Sequence, residues 1–202
     1  TLIKKMIQES YRGQKLVLIE NEFGEIGIDG GFLQDSGINI TEMNSGCICC
    51  SLVGDFSKAL KQVAEEYSPD RILIEPSGVG KLSDVIGAVQ GVLSDEVVLE
   101  YAATVVDAGK CRLYMKNFGE FFNNQIENAG AIVLSRTQNV SAEKLAKAVA
   151  LLKEHNEKAP ILTTNWDELT GEEILKVMEG NTIDLAAQLM AEEACPVCGG
   201  HH

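Results

Sequence analysis

The stretch "GCICC" at residues 46–50 sets Cys47, Cys49 and Cys50 within four consecutive positions. Thiolates bind soft and borderline metals, and tetrahedral zinc or copper(I) sites are assembled from them. In an extended segment Cys47 and Cys49 point one way and Cys50 the other; a loop just past a strand turns all three inward. Three protein ligands leave a fourth position open, which suits a metal that is handed on. Two blander readings compete. The three could be small buried packing residues, although so tight a group of thiols is an uncommon core filling. They could be redox thiols, although no thioredoxin-like setting surrounds them.

Two further groups invite chemistry. In "RILIEPSG" an acid, Glu75, ends an apolar run and is followed by a small polar residue and Gly78. Glu75 there can orient a water or a hydrated magnesium ion, and the Gly78 N–H can face a terminal phosphate; the plain alternative is an acid that ends a strand. The tail "CPVCGGHH" offers Cys195, Cys198 and His201 as a zinc ligand set. Against it stands a flexible tail whose histidines belong to a purification tag. The run "GVGKLSD" imitates a phosphate-binding loop but fails. That loop needs Gly five residues before Gly80-Lys81 and Ser or Thr directly after, where Glu75 and Leu82 stand. Cys111 alone reads as a packing residue, and His155 as a solvated position on a charged helix.

These groups must be positioned by an alternating series of elements. Leu2, Ile3, Met6 and Ile7 have helical spacing. "KLVLIENEF", "RILIE", "EYAATVVDA", "AIVLS" and "APILTTNW" read as buried strands. Between them, "DFSKALKQVAEEY", "LSDVIGAVQGVL" and "AEKLAKAVALLKEH" read as helices, the last capped by the Ser141 hydroxyl. Thr170 and Glu173 form a capping box for one more helix. Strands alternating with helices predict an α/β fold with a mostly parallel sheet covered on both faces. Ligands of such sheets gather at the carboxyl ends of the strands. Asn21–Gly24, Glu75–Gly78, Asp107 and Ser135–Gln138 fall there.

The composition sets bounds on partners. With 45% hydrophobic and 23% charged residues the chain is ordinary for a globular protein. Its net charge of −13 disfavours nucleic acid, whose phosphates would be repelled. No apolar run reaches membrane-span length and no signal peptide opens the sequence. Clustered thiols without a secretion signal predict a reducing, cytoplasmic setting and metal or redox chemistry.

Taken in order and spacing, "ENEFGEIGID", "GCICC" followed by "GD", "ILIEPSG", "VVDA", "QIENAGAIVLSRTQ" and "NEKAPI" resemble the CobW-type metallochaperone GTPases. These are P-loop NTPases related to the nickel-insertion GTPases of hydrogenase and urease maturation. The likeness runs from Thr1 to about Trp166. It implies a three-layer P-loop NTPase fold over residues 1–180, followed by a C-terminal helix and Cys/His tail at 181–202. It also implies that the first strand and the P-loop are absent from this chain, with Thr1 the last residue of that loop or the first beyond it. Without the loop's N–H groups and lysine, the chain as given should bind nucleotide poorly.

The resemblance implies a role for each matched position. The segment from Glu22 to Asp29 would respond to the terminal phosphate, with Asp29 near magnesium. Cys47, Cys49 and Cys50 would hold the cargo metal, zinc first and cobalt or nickel as alternatives, with Glu42 as an oxygen neighbour. Glu75 would be catalytic and Gly78 would meet the phosphate. Hydrolysis of GTP or ATP would then drive delivery to a client metalloenzyme or a cofactor-maturation protein. Nucleotide-dependent homodimers are common among the related maturation GTPases. In place of the family's Asn-Lys-x-Asp base motif stand Ser135, Arg136, Thr137 and Gln138. A Gln amide has one acceptor and cannot copy a carboxylate that accepts twice from guanine, so GTP selectivity is expected to weaken. That change also favours a second reading, a low-turnover metal-binding adaptor that works by client binding.

Overall fold

The computed structural model describes residues 1–20, 40–44, 53–76 and 78–179, with side chains at 1–19, 56–58, 60–76 and 78–179. Among the described residues there are six strands: β1 (Leu16–Glu20), β2 (Ile40–Asn44), β3 (Arg71–Glu75), β4 (Ala103–Asp107), β5 (Ala131–Ser135) and β6 (Ile161–Leu162). Seven α-helices accompany them among the described residues. They are α1 (Leu2–Glu9), α2 (Val53–Tyr67), α3 (Leu82–Gln90), α4 (Cys111–Asn117), α5 (Gly119–Glu127), α6 (Ala142–His155) and α7 (Gly171–Glu179). All strand pairs are parallel, in the orders β2-β1-β3 and β4-β5-β6.

The strand sequences explain the layering. In β1, Leu16 and Leu18 face one side and Val17 and Ile19 the other, and all four are buried. The same alternation holds in β5, where Ala131 and Val133 oppose Ile132 and Leu134. Leu16, Leu18, Ala131 and Val133 share one cluster with Leu2, Met6 and Ile7 of α1 and Ile174 and Met178 of α7. The opposite face of β1 packs on Phe56, Leu60 and Val63 of α2 and Val85, Ala88 and Val89 of α3. The opposite face of β5 packs on Phe122 and Ile126 of α5 and Ala148 and Leu152 of α6. Helix, sheet and helix thus form three layers, and a single cluster under α1 and α7 unites the two strand groups.

No ladder joins β3 to β4 among the described residues, so the expected single sheet is resolved as two three-stranded sheets. Among the described residues each of these two strands carries an edge without a ladder. Burial is incomplete there: no β3 residue is fully buried, and Val105 of β4 is 48% exposed between buried Thr104 and Val106. β1, paired on both sides, has no such gap. At their amino ends the two strands are tied by side chains instead. Arg71 of β3 ion-pairs with Glu100, just before β4, and its guanidinium lies 4.4 Å from the ring centroid of buried Tyr11.

The helix caps are local and legible. Ser141 Oγ accepts the Lys144 N–H at 3.3 Å at the head of α6. At α7 the Thr170 N–H donates to Glu173 at 2.8 Å and the Glu173 N–H donates to Thr170 Oγ1 at 3.3 Å, a reciprocal box. The expected final strand is shorter than "APILTTNW"; only Ile161–Leu162 pairs with β5, because Trp166–Glu168 turns into a short 3-10 helix.

Candidate nucleotide and metal site

The carboxyl ends of the strands line up. Register pairs Glu20 of β1 with Asn44 of β2 on one side and Glu75 of β3 on the other. In the second sheet Asp107 of β4 pairs with Ser135 of β5. Parallel pairing therefore brings the ends of five strands into two rows. Glu75 ends β3 as its exposed residue, after four half-buried positions. A carboxylate so placed suits magnesium, a hard cation that takes oxygen ligands and keeps several waters. Gly78 follows, and a Cβ built on it would meet nothing within 4 Å, so its backbone borders open space.

The turn after β5 is built around Arg136. Its φ of 58° is left-handed, a conformation that costs a non-glycine residue about 1 kcal/mol. Two features hold it. The 3-10 turn Thr137–Asn139 follows, with Thr137 buried and the Asn139 N–H donating to the Arg136 carbonyl at 3.0 Å. The guanidinium then reaches back to Asp107, Nη1 to Oδ2 at 3.4 Å. Asp107 Oδ1 accepts the Gly109 N–H at 2.9 Å, and Ser135 Oγ donates to the Val106 carbonyl at 3.3 Å. Ser135, Arg136 and Asp107 are thus one cluster, while Gln138 stands exposed at its rim.

The loop after β3 is gripped by α5. Gln125 Nε2 donates to the Gly80 carbonyl at 2.8 Å and to the Gly78 carbonyl at 3.0 Å. Asn124 Oδ1 accepts the Ser83 N–H at 3.2 Å, and its Nδ2 donates to Ser83 Oγ at 3.0 Å. At the surface Lys81 pairs with Glu120 at 2.8 Å; the contact raises the lysine's pKa and lowers the carboxyl's.

The CobW/HypB/UreG nucleotide-binding domain model matches residues 1–163. The chain belongs to this family. It is 33% identical over 178 residues to the zinc chaperone CobW of Sinorhizobium sp, covering 74% of this chain and 50% of that protein. It is 29% identical over 177 residues to the zinc chaperone YjiA of Escherichia coli K12, covering 84% and 54%. Among solved structures, the hydrogenase maturation factor HypB of Archaeoglobus fulgidus is similar in fold. Its TM-score is 0.56 at 16% identity, over 89% of this chain and 81% of that one. The chain spans about half the length of the curated relatives it matches. Both the family and the parallel three-layer architecture agree with the P-loop NTPase fold expected from the sequence.

Of the residues expected at the CobW-family site, Glu75, Gly78, Ser135, Arg136 and Gln138 lie at the carboxyl ends of β3 and β5, and Thr1 heads α1. Glu22, Asp29, Cys47, Cys49, Cys50, Cys195, Cys198 and His201 lie outside the described residues, as does the side chain of Glu42. Among the described residues no group of three His, Cys, Asp or Glu is placed to hold a metal, and no helix is long and apolar enough to cross a membrane. Cys111 is buried in the β5–α6 cluster, where burial pushes its thiol up to about 11. His155 departs from its expected solvated place: it is half-buried and meets Glu127 of α5 at 3.1 Å.

Sequence reasoning missed Gln125, Asn124 and Asp107's bond to Arg136. An amide on a short helix ordinarily reads as a solvated position, and nothing local signals a partner more than forty residues away.

Proposed function

We propose that the chain is the nucleotide-responsive part of a zinc chaperone. In this reading Cys47, Cys49 and Cys50 hold zinc in transit. Glu75 orients the attacking water or a hydrated magnesium ion, the Gly78 N–H meets the terminal phosphate, and the Ser135–Gln138 turn receives the base. Glu22 and Asp29 report the nucleotide's state to the metal-holding segment. GTP hydrolysis, with ATP as a second substrate, then sets when zinc passes to a client metalloenzyme in the cytoplasm.

One observation carries this reading: the register row Asn44–Glu20–Glu75. The cysteine triplet follows β2 in sequence, "ENEFGEIGID" begins at the last residue of β1, and "EPSG" begins at the last residue of β3. Three segments with metal, switch and phosphate chemistry therefore leave the sheet from one row. Bound phosphate favours such an edge, where backbone N–H groups are presented. The zinc assignment is supported by what the CobW and YjiA relatives are named for.

The test is a zinc titration of the reduced chain against a competing chelator, run beside Cys49→Ser and a Cys195→Ser/Cys198→Ser double variant. Loss of a tight site in Cys49→Ser alone is the expected outcome. If only the double variant loses it, the tail holds the metal and the cargo assignment fails.

The adaptor reading keeps one observation of its own. Arg136 is committed to Asp107, and Gln138 replaces a carboxylate at the base motif. Zinc-dependent client capture with no measurable hydrolysis, in a form carrying the phosphate-binding loop, would favour it.

A further inference from the structure

We infer that Gln125 is a positioning residue, a latch that sets the backbone of the loop after β3 and links it to β4 where no strand ladder does so. Its consequence for nucleotide rests on the function proposed above; its geometry does not.

Gln125 lies in the last turn of α5 and is half-buried. Its backbone carbonyl accepts from Thr104 Oγ1 at 2.6 Å, and Thr104 is a buried hydroxyl in the middle of β4. Carbonyls in the last turn of a helix have no intrahelical donor, so this bond satisfies a group that would otherwise be orphaned. The Gln125 backbone is thereby fixed to β4. Its side chain uses both amide hydrogens on the loop after β3, on the carbonyls of Gly78 and Gly80.

Those two acceptors matter because of what they fix. A glycine samples both signs of φ, so a loop with Gly78 and Gly80 would otherwise visit many backbone states. The peptide unit is planar, with C=O and N–H opposed. Holding the Gly78 carbonyl therefore aims the Val79 N–H, and holding the Gly80 carbonyl aims the Lys81 N–H. One side chain sets two peptide planes beside the proposed phosphate position. Asn124, one residue earlier, holds Ser83 at the first turn of α3. The whole connection from Gly78 to Ser83 is registered against α5. Since α5 leads directly into β5, the same helix connects the phosphate loop to the Ser135–Gln138 turn.

The test separates hydrogen-bond donation from space filling. Backbone order parameters of Gly78, Val79, Gly80 and Lys81 are measured by NMR in the parent, Gln125→Glu and Gln125→Lys. Glutamate nearly matches the shape of glutamine but offers only acceptors at neutral pH; lysine differs in shape but offers donors to both carbonyls. Expected is a fall from about 0.85 to below about 0.6 in Gln125→Glu, with substantial recovery in Gln125→Lys. The reverse order, or no change in either, would overturn the latch. Thr104→Val serves where a Gln125 variant does not fold: it leaves the side chain intact and frees its backbone anchor, and partial loosening of the same four residues is expected. Unchanged values there would overturn the β4 link. A chain whose loop obeys Gln125 but whose cysteines bind no zinc would overturn the functional reading and leave the latch standing.

Discussion

Arg71 and Glu100 clasp the amino ends of two strands that share no ladder. The Arg71 Nη2 donates to Glu100 Oε1 at 3.1 Å, its Nε donates to Gln14 at 3.2 Å, and the face of the guanidinium lies on Tyr11. Tyr11 is buried and its hydroxyl bonds to Tyr101, next to Glu100; burial raises the pKa of both phenols. An arginine that pairs in a plane and stacks on a ring is not replaceable by a point charge. Arg71→Lys should therefore lose most of what Arg71→Ala loses, about 2 kcal/mol of unfolding free energy in urea. Equal stability of Arg71→Lys and the parent would show that charge alone suffices.

The clasp also explains what was and was not legible in the sequence. β1 and β5 are continuous apolar runs because each is covered on two faces, and such runs identify themselves. β3 and β4 carry enough apolar residues to read as strands, although their unladdered edges are incompletely covered. β2 does not: "ITEMN" reads apolar, polar, polar, apolar, polar, which is neither a continuous apolar run nor the strict alternation of a half-buried strand. The α4–α5 pair is hidden for another reason. Phe118, which caps both, divides the region into helices of seven and nine residues, too short to show a clear period. The strand-end residues of the site were legible because topology alone places them. Their long-range partners were not. Gln125 on Gly78 and Asp107 on Arg136 are contacts between segments that meet only after the sheets form.

Arg136 provides a test of backbone strain at the turn after β5. Asn tolerates the left-handed region and a β-branched residue does not. Arg136→Asn is expected to lie within about 0.5 kcal/mol of the parent, since it trades an ion pair whose arginine is mostly exposed for a relaxed backbone, and Asp107 keeps its bond from the Gly109 N–H. Arg136→Val should lose about 1–2 kcal/mol. Urea midpoints of the two variants decide it. Similar losses in both would assign the stability to the Asp107 pair instead.

Glu9 links α1 to the head of α7 and makes stability depend on pH. Its carboxylate pairs with Lys5 at 2.8 Å and accepts the Gly171 N–H at 2.7 Å, and these contacts, Lys5 first, lower its pKa. A carboxyl lowered in the folded state adds stability above its unfolded value of about 4.3, and that stability is lost as pH falls through the folded value. With a side chain 38% exposed, the contribution is screened to about 0.5 kcal/mol. Glu9→Gln should differ from the parent at pH 7 and converge on it in acid; a difference independent of pH would refute the linkage.

The same contact makes Gly171 sensitive to size. A Cβ at Gly171 would stand 2.8 Å from the Glu9 Cβ and 2.5 Å from Ser10 Oγ, and the Ser10 backbone leaves little room to yield. Gly171→Ala places a methyl where α1 approaches most closely, and overpacking of this kind costs about 1–3 kcal/mol. The first turn of α7 should loosen with it, seen as faster amide exchange at Ile174, whose N–H donates to Thr170. A gain in stability from the better helix former would show that α1 can move aside.

Gln138 carries the sharpest functional prediction. It stands exposed at the rim of the Arg136 turn, so a change there leaves the packing of buried Thr137 untouched. A carboxylate accepts two hydrogen bonds from the N–H groups of guanine, whereas the Gln amide offers one acceptor and sets a donor against a donor. An unmatched donor in a bound base costs about 1–3 kcal/mol. In a form carrying the phosphate-binding loop, Gln138→Asp should therefore raise the preference for GTP over ATP by about 10-fold or more, seen in competitive binding of the two nucleotides. The unfolding midpoint should stay within the range of ordinary surface changes. An unaltered GTP to ATP ratio would mean that the turn after β5 does not read the base, and the assignment of Ser135, Arg136 and Gln138 to the nucleotide would fall with it.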